Sequence, residues 1–190
     1  MNRPATLLVL LLAGLLAGCG GGSRPTGIRT AETPADDVAE YQPRWRSHTV
    51  DSTQYRKVFL AGTIDMGRSA DWQAALVARF RDSIGGRWLF FNPRRREFHA
   101  SPAEMEYQVA WELAHLEAAD LIVMNLLGDS RSPISLLEMG LYARSGKLFV
   151  ACSPDYYRYD NVRITCRRYG VPLYDSLTAL LDDLPQQSDD

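Results

Sequence analysis

The sequence predicts an α/β fold: a doubly wound sheet of about five parallel strands with helices on both faces. Three observations predict it. From residue 55 onward, short apolar runs alternate with segments of helical period. The runs end in Gly or Asn-Pro, which stop a strand and turn the chain. One run, Leu121-Ile122-Val123-Met124, is apolar without alternation, the pattern of a strand buried on both faces.

Each element follows in order. Val58-Phe59-Leu60-Ala61-Gly62 is the first strand, closed by its glycine. Trp72, Ala75, Leu76, Arg79 and Phe80 recur at helical spacing. Trp88-Leu89-Phe90-Phe91 is the second strand, stopped by Asn92-Pro93. Met105, Val109, Leu113 and Leu116 mark the buried stripe of a second helix, and Leu121–Met124 forms the third strand. Ser132-Pro133 opens a third helix, with Ser as N-cap and Pro at the first helical position. Its stripe is Ile134, Leu137 and Leu141, and it ends near Gly146. Leu148-Phe149-Val150-Ala151 is the fourth strand. Val171-Pro172-Leu173-Tyr174 is a short fifth, at an edge because of its proline. A last helix runs from Leu177 to Leu184. Five strands suit the flavodoxin-like order 2-1-3-4-5, whose ligand site lies outside the carboxyl ends of the strands. The loops at residues 62–71, 92–103, 125–132 and 153–161 are therefore the ones that carry chemistry.

The first residues are of another kind. An Arg-bearing start, an apolar run from Leu7 to Leu16 and a small-residue end make a secretory signal, too short to span a membrane. Leu16-Ala17-Gly18-Cys19 resembles the bacterial lipobox, in which Cys19 would receive the lipid. Gly20 after that cysteine resembles sorting to the outer membrane. The expected division is a lipoprotein signal peptide (1–18), a flexible tether rich in Gly, Pro and Thr (19–54), one α/β domain (55–185) and a disordered tail (186–190). The expected location is the bacterial cell envelope, lipid-anchored, at the outer membrane facing the periplasm.

Composition narrows the function. A formal net charge of −2 argues against a nucleic acid polymer as partner. Three histidines without metal spacing leave no expected metal. Gly62-Thr63 carries no dinucleotide fingerprint and no phosphate-loop lysine. In an oxidising compartment Cys152 and Cys166 either form a disulfide or remain two buried thiols, and their spacing fits both.

Two glutamates break the amphipathic pattern. Glu138 lies four residues after Ile134 and three before Leu141. Glu112 lies three after Val109 and four before Leu116. A buried carboxylate is costly without a partner. Each therefore has a charge partner such as an arginine, a shell of hydrogen bonds, or a chemical duty. Two carboxyls at one sheet edge suit chemistry at a sugar's anomeric carbon. One attacks C1′ and carries the glycosyl group as an ester; the other protonates or holds the departing base. Such chemistry needs no cofactor. Asp65, after the first strand, is a third candidate acid or else a turn residue that caps the next helix. Arg94, Arg95 and Arg96 follow the second strand and either hold a phosphate or form a solvated loop charge run. Trp72 and Trp111 either stack on a base or belong to the core. His115 reads as a structural histidine.

These residues carry a resemblance. Phe59-Leu60-Ala61-Gly62-Thr63-Ile64-Asp65, Trp72-Gln73, Asn92-Pro93-Arg94-Arg95, Gln108-Val109-Ala110-Trp111-Glu112, Ala119-Asp120 and Ser132-Pro133-Ile134-Ser135-Leu136-Leu137-Glu138-Met139-Gly140 resemble the nucleoside 2-deoxyribosyltransferase-like family over about residues 56–184. The resemblance implies a flavodoxin-like fold and cleavage or transfer at the N-glycosidic bond of nucleosides or nucleotides. It implies that Glu138 is the nucleophile and that Glu112 stands where a carboxylate contacts the base. It implies that Asp160-Asn161-Val162 reaches a neighbouring subunit's site, hence a homo-oligomer. Two positions depart from the family. Phe59 stands where the transferases have a tyrosine. Ser132 stands where they have an aspartate that binds the 5′-hydroxyl. Gly62, Arg94, Ser132 and Asn161 are the candidate substrate-binding positions. The alternative is a non-catalytic sensor of a nucleotide-like ligand, or a protein-interaction lipoprotein, on the same fold.

Overall fold

A computed structural model describes residues 37–97 and 101–184. The expected signal peptide, Cys19, the first part of the tether and the tail at 186–190 lie outside the described residues.

The described chain forms β1 (Val38–Gln42), β2 (Trp45–Arg46), β3 (Arg56–Gly62), α1 (Trp72–Ser83), β4 (Trp88–Phe91), α2 (Pro102–Ala118), β5 (Leu121–Leu126), α3 (Pro133–Tyr142), β6 (Leu148–Cys152), α4 (Tyr159–Tyr169), β7 (Leu173–Tyr174) and α5 (Leu177–Asp183). The sheet has seven strands in the order β2-β1-β4-β3-β5-β6-β7. Five of them, β4-β3-β5-β6-β7, reproduce the expected order 2-1-3-4-5. All pairings are parallel except the β1–β2 hairpin.

The hairpin corrects the expected tether. Residues 38–46 are sheet: β1 lies parallel to β4, with Val38 opposite Trp88 and Tyr41 opposite Phe91. Alternation across the pleat sends Val38 into one core and Ala39 and Tyr41 into the other. The apolar run is short and Pro43 interrupts it, so its period is too brief to read without the strand it joins.

Two cores sandwich the sheet. α1 and α5 cover one face through Leu76, Val77, Phe80, Leu180 and Leu181. α2, α3 and α4 cover the other through Leu116, Met139, Tyr142, Val162 and Cys166. Cys152 and Cys166 are both buried free thiols in this second core. Burial pushes Cys152 up to about 12 and Cys166 up to about 11, so both stay protonated and unreactive.

The stripe read for α3 points outward, and so does that for α2 except Leu116, which is buried. Met105, Val109 and Leu113 of α2 are exposed, as are Ile134, Leu137 and Leu141 of α3. The inner face of α2 instead repeats through Gln108, Trp111, Glu112, His115 and Leu116. That of α3 repeats through Ser135, Glu138, Met139 and Tyr142. An α-helix of this composition offers two stripes, and packing on the sheet selected the more polar one.

Candidate functional site

The carboxyl ends of β3 and β5 sit side by side, where strand order reverses. Gly62 makes this approach: its φ is +124°, and a Cβ there would lie 2.2 Å from the Asn125 carbonyl oxygen. Its duty is backbone contact within the fold. Beyond it, the loops after β3 and β5 are laced by hydroxyls. Thr63 Oγ1 lies 2.7 Å from Ser132 Oγ, and Ser130 Oγ lies 2.8 Å from it. Ser130 Oγ donates to Asp65 Oδ1 at 2.9 Å. Asp65 therefore ties the two loops together, while Asp71 caps α1 by accepting from the Ala74 N–H at 3.0 Å. Asp65 and Ser132 both hold left-handed backbone, with φ of +49° and +41°. Such strain persists only where surroundings over-determine it.

Ser132 occupies the N-cap position of α3 without capping it, because its hydroxyl is turned to Thr63 and Ser130. The first turn of α3 thus begins with no side-chain cap, at the sheet's ligand edge.

Two turns along α3, Glu138 faces inward and is 8% exposed. No hydrogen bond or ion pair joins its carboxyl to another described residue. Desolvation, and then the nearby Glu112 charge, push it up to about 8. Glu112 comes from the inner face of α2. Burial raises its carboxyl too, and a hydrogen bond from Gln108 and the charge of Arg95 pull it back. The structure therefore brings the two glutamates into electrostatic contact and gives them unequal proton affinities. Among the described residues neither carboxyl has an arginine ion pair; Glu112 accepts from Gln108 at 2.7 Å.

The other candidates have these surroundings. Arg94 donates to Gln73 Oε1, Ser69 Oγ and the carbonyls of Ser69 and Ala70, and lies 3.5 Å from Asp71. Its guanidinium pins the loop that leads into α1. Trp72 is core, with its indole N–H donating to the Thr63 carbonyl at 2.8 Å. Trp111 stacks on His115 at 3.9 Å between ring centroids and packs on Phe59 at 6.3 Å. Phe59 is fully buried. Asn161, on α4, lines an open groove of about 310 Å³ with Leu136, Met139, Gly140 and Arg158. No cluster of metal-binding side chains occurs among the described residues. No described helix is long and apolar enough to cross a membrane.

Sequence reasoning weighed Arg95 beside Arg94 and Arg96 for a phosphate, and not for a link to Glu112. The Arg95 side chain is 7% exposed and donates to Gln108 and to Glu104. The signal was present in Gln108 and Glu112, spaced four apart on one helix, where side chains meet.

No curated protein matches this chain. Residues 55–156, more than half of the 190, match the family described as nucleoside 2-deoxyribosyltransferase like, and the chain belongs to that family.

Proposed function

We propose that the domain cleaves the N-glycosidic bond of a nucleoside or nucleotide, with Glu138 as nucleophile and Glu112 serving the base. One observation carries this reading: Glu138 is a buried carboxyl unpaired among the described residues, beside a second carboxyl at the sheet's ligand edge.

The pair works singly ionised. In the free protein the proton rests on Glu138, whose surroundings penalise its charge more. When a sugar ring is seated, positive charge growing at C1′ favours the Glu138 anion, and the proton passes to Glu112. Glu138 Oε attacks C1′, the C1′–N bond breaks, and its electron pair leaves with the base, which takes the proton of Glu112. Water then attacks C1′ of the ester and gives a proton to Glu112, and Glu138 departs as carboxylate. A second base in place of water yields transfer. The uncapped start of α3 beside Ser132 suits an anionic or hydroxylic 5′ end.

The outward stripes of α2 and α3, and Asn161 on the groove of α4, support a homo-oligomer in which one copy completes another's site. The lipobox supports anchorage through Cys19 in the bacterial envelope, facing the periplasm. Cys19→Ser should then leave the membrane fraction; a variant that stays there sinks the anchor.

The deciding assay incubates the protein with a panel of nucleosides and nucleotides and measures free base. Release by wild type and none by Glu138→Gln is expected. Equal release by both, or none by wild type, removes the enzymatic reading. A second reading, a silent sensor of a nucleotide-like ligand, is favoured by Phe59, which brings no hydroxyl to the site. Thermal stabilisation by nucleotides without base release selects it.

A further inference from the structure

The Glu112 carboxyl is held at the end of a run of side chains that leads back to Arg44. Gln108, one turn earlier on α2, donates from Nε2 to Glu112 Oε1 at 2.7 Å and to the Pro93 carbonyl at 3.0 Å. Both amide hydrogens are thereby used. Its Oε1 accepts from Arg95 Nε, so the amide's orientation is set by its neighbours. Arg95 Nη1 donates to Glu104 Oε2 at 2.6 Å and Nη2 to the Glu104 carbonyl at 3.0 Å. Glu104 Oε1 in turn accepts from Arg44 Nη2 at 2.7 Å. Arg44 follows β1 in the hairpin, outside the segment that matches the family.

A buried guanidinium and a half-buried amide are expensive to desolvate, and apolar side chains would hold α2 to the sheet as well. This chain instead ends on one oxygen of one carboxyl. An oxygen that accepts from a fixed amide is not the one that carries a proton. The proton of Glu112 therefore belongs on Oε2.

We propose that Arg95 and Gln108 are positioning residues for Glu112: they hold Oε1 as acceptor and turn Oε2 toward the leaving base, with Arg44 bracing Arg95 through Glu104. This rests on the role given to Glu112 above. The groups that bear on Glu112 are Glu138 from α3, Arg95 from the segment after β4, and Gln108 from its own helix. His115, one turn onward, is stacked on Trp111 and set edge-on to Phe91.

The test uses full-length protein labelled with ¹³C at glutamate carboxyls and titrated by NMR. The Glu112 signal is identified by its loss in Glu112→Gln. In Gln108→Leu and Arg95→Met the Glu112 midpoint should rise by about half a unit or more, because the anion loses a donor or a cation. Base release should fall in kcat with KM little changed, and Arg95→Lys should restore the midpoint in part. An unmoved midpoint in folded Gln108→Leu overturns the proposal, and that variant decides alone if Arg95→Met does not fold. The titration needs no turnover. Wild type without base release sinks the enzymatic reading and with it the leaving base as the target of Oε2, while a moved midpoint then leaves only the hold of Arg95 and Gln108 on Oε1. Active protein with an unmoved midpoint sinks this proposal only.

Discussion

Glu138 and Glu112 are the same residue type in electrostatic contact, yet they differ in proton affinity. Glu138 has burial and a like charge against ionisation, and no compensating donor among the described residues. Glu112 has Gln108 and Arg95 in favour of ionisation. As a coupled pair they lose protons in two macroscopic steps. If one proton must be present for the leaving base and one carboxylate for attack, kcat/KM for base release is bell-shaped, with its alkaline limb near 8. Glu112→Gln should lower kcat by about 10²–10⁴-fold and abolish the alkaline limb. A profile that rises to a plateau above 8 would instead show that Glu112 gives no proton.

The same burial has a cost in stability. Folded, Glu138 holds its proton up to about 8; unfolded, it loses it near the ordinary value of 4.5. Between these values the folded state binds more protons, so stability falls as pH rises through that window and levels off above it. Glu138→Gln should flatten this slope and stabilise the protein at pH 8 by about 1–3 kcal/mol, read as a rise in Tm of roughly 2–4 °C per kcal/mol. Equal Tm values for variant and wild type across pH 5–9 would show that Glu138 ionises freely.

At the scale of elements, position depends on backbone contacts as much as on side chains. β3 and β5 close on each other only because residue 62 has no Cβ. Gly62→Ala should cost about 3 kcal/mol or more, since it adds a backbone clash to a φ that alanine resists. Denaturant unfolding measures this; a loss under 1 kcal/mol would mean that the strands separate without penalty. The strands were legible in the sequence because runs such as Leu121–Met124 are apolar throughout. The helices were legible in extent but not in rotation. Ile134, Leu137 and Leu141 repeat as a core stripe should, yet Leu137 is 62% exposed. Periodicity reports that a helix has faces; which face meets the sheet depends on what the sheet presents.

The whole molecule follows the same distinction. The apolar stripes left outward on α2 and α3 are the surface that the proposed oligomer would cover. Leu137→Lys with Leu141→Lys should convert an oligomer to a monomer, measured by light scattering; a monomeric wild type removes the oligomer from the proposal. The hairpin at 38–46 became part of the sheet because β4 offered a free edge, something no local pattern in residues 19–54 announces. By itself, the sequence determined the α/β class and the order of the five predicted strands, because those rest on local period. It singled out Glu138 by a stripe that turned outward: Ile134 and Leu141 are exposed, and Glu138 is buried on the helix's other face. Tertiary structure alone decided which helix faces turn inward, that Arg94 braces a loop while Arg95 reaches Glu112 through Gln108, and that Glu138 is left without a partner among the described residues. Those outcomes depend on contacts between segments distant in the chain, which no local pattern encodes.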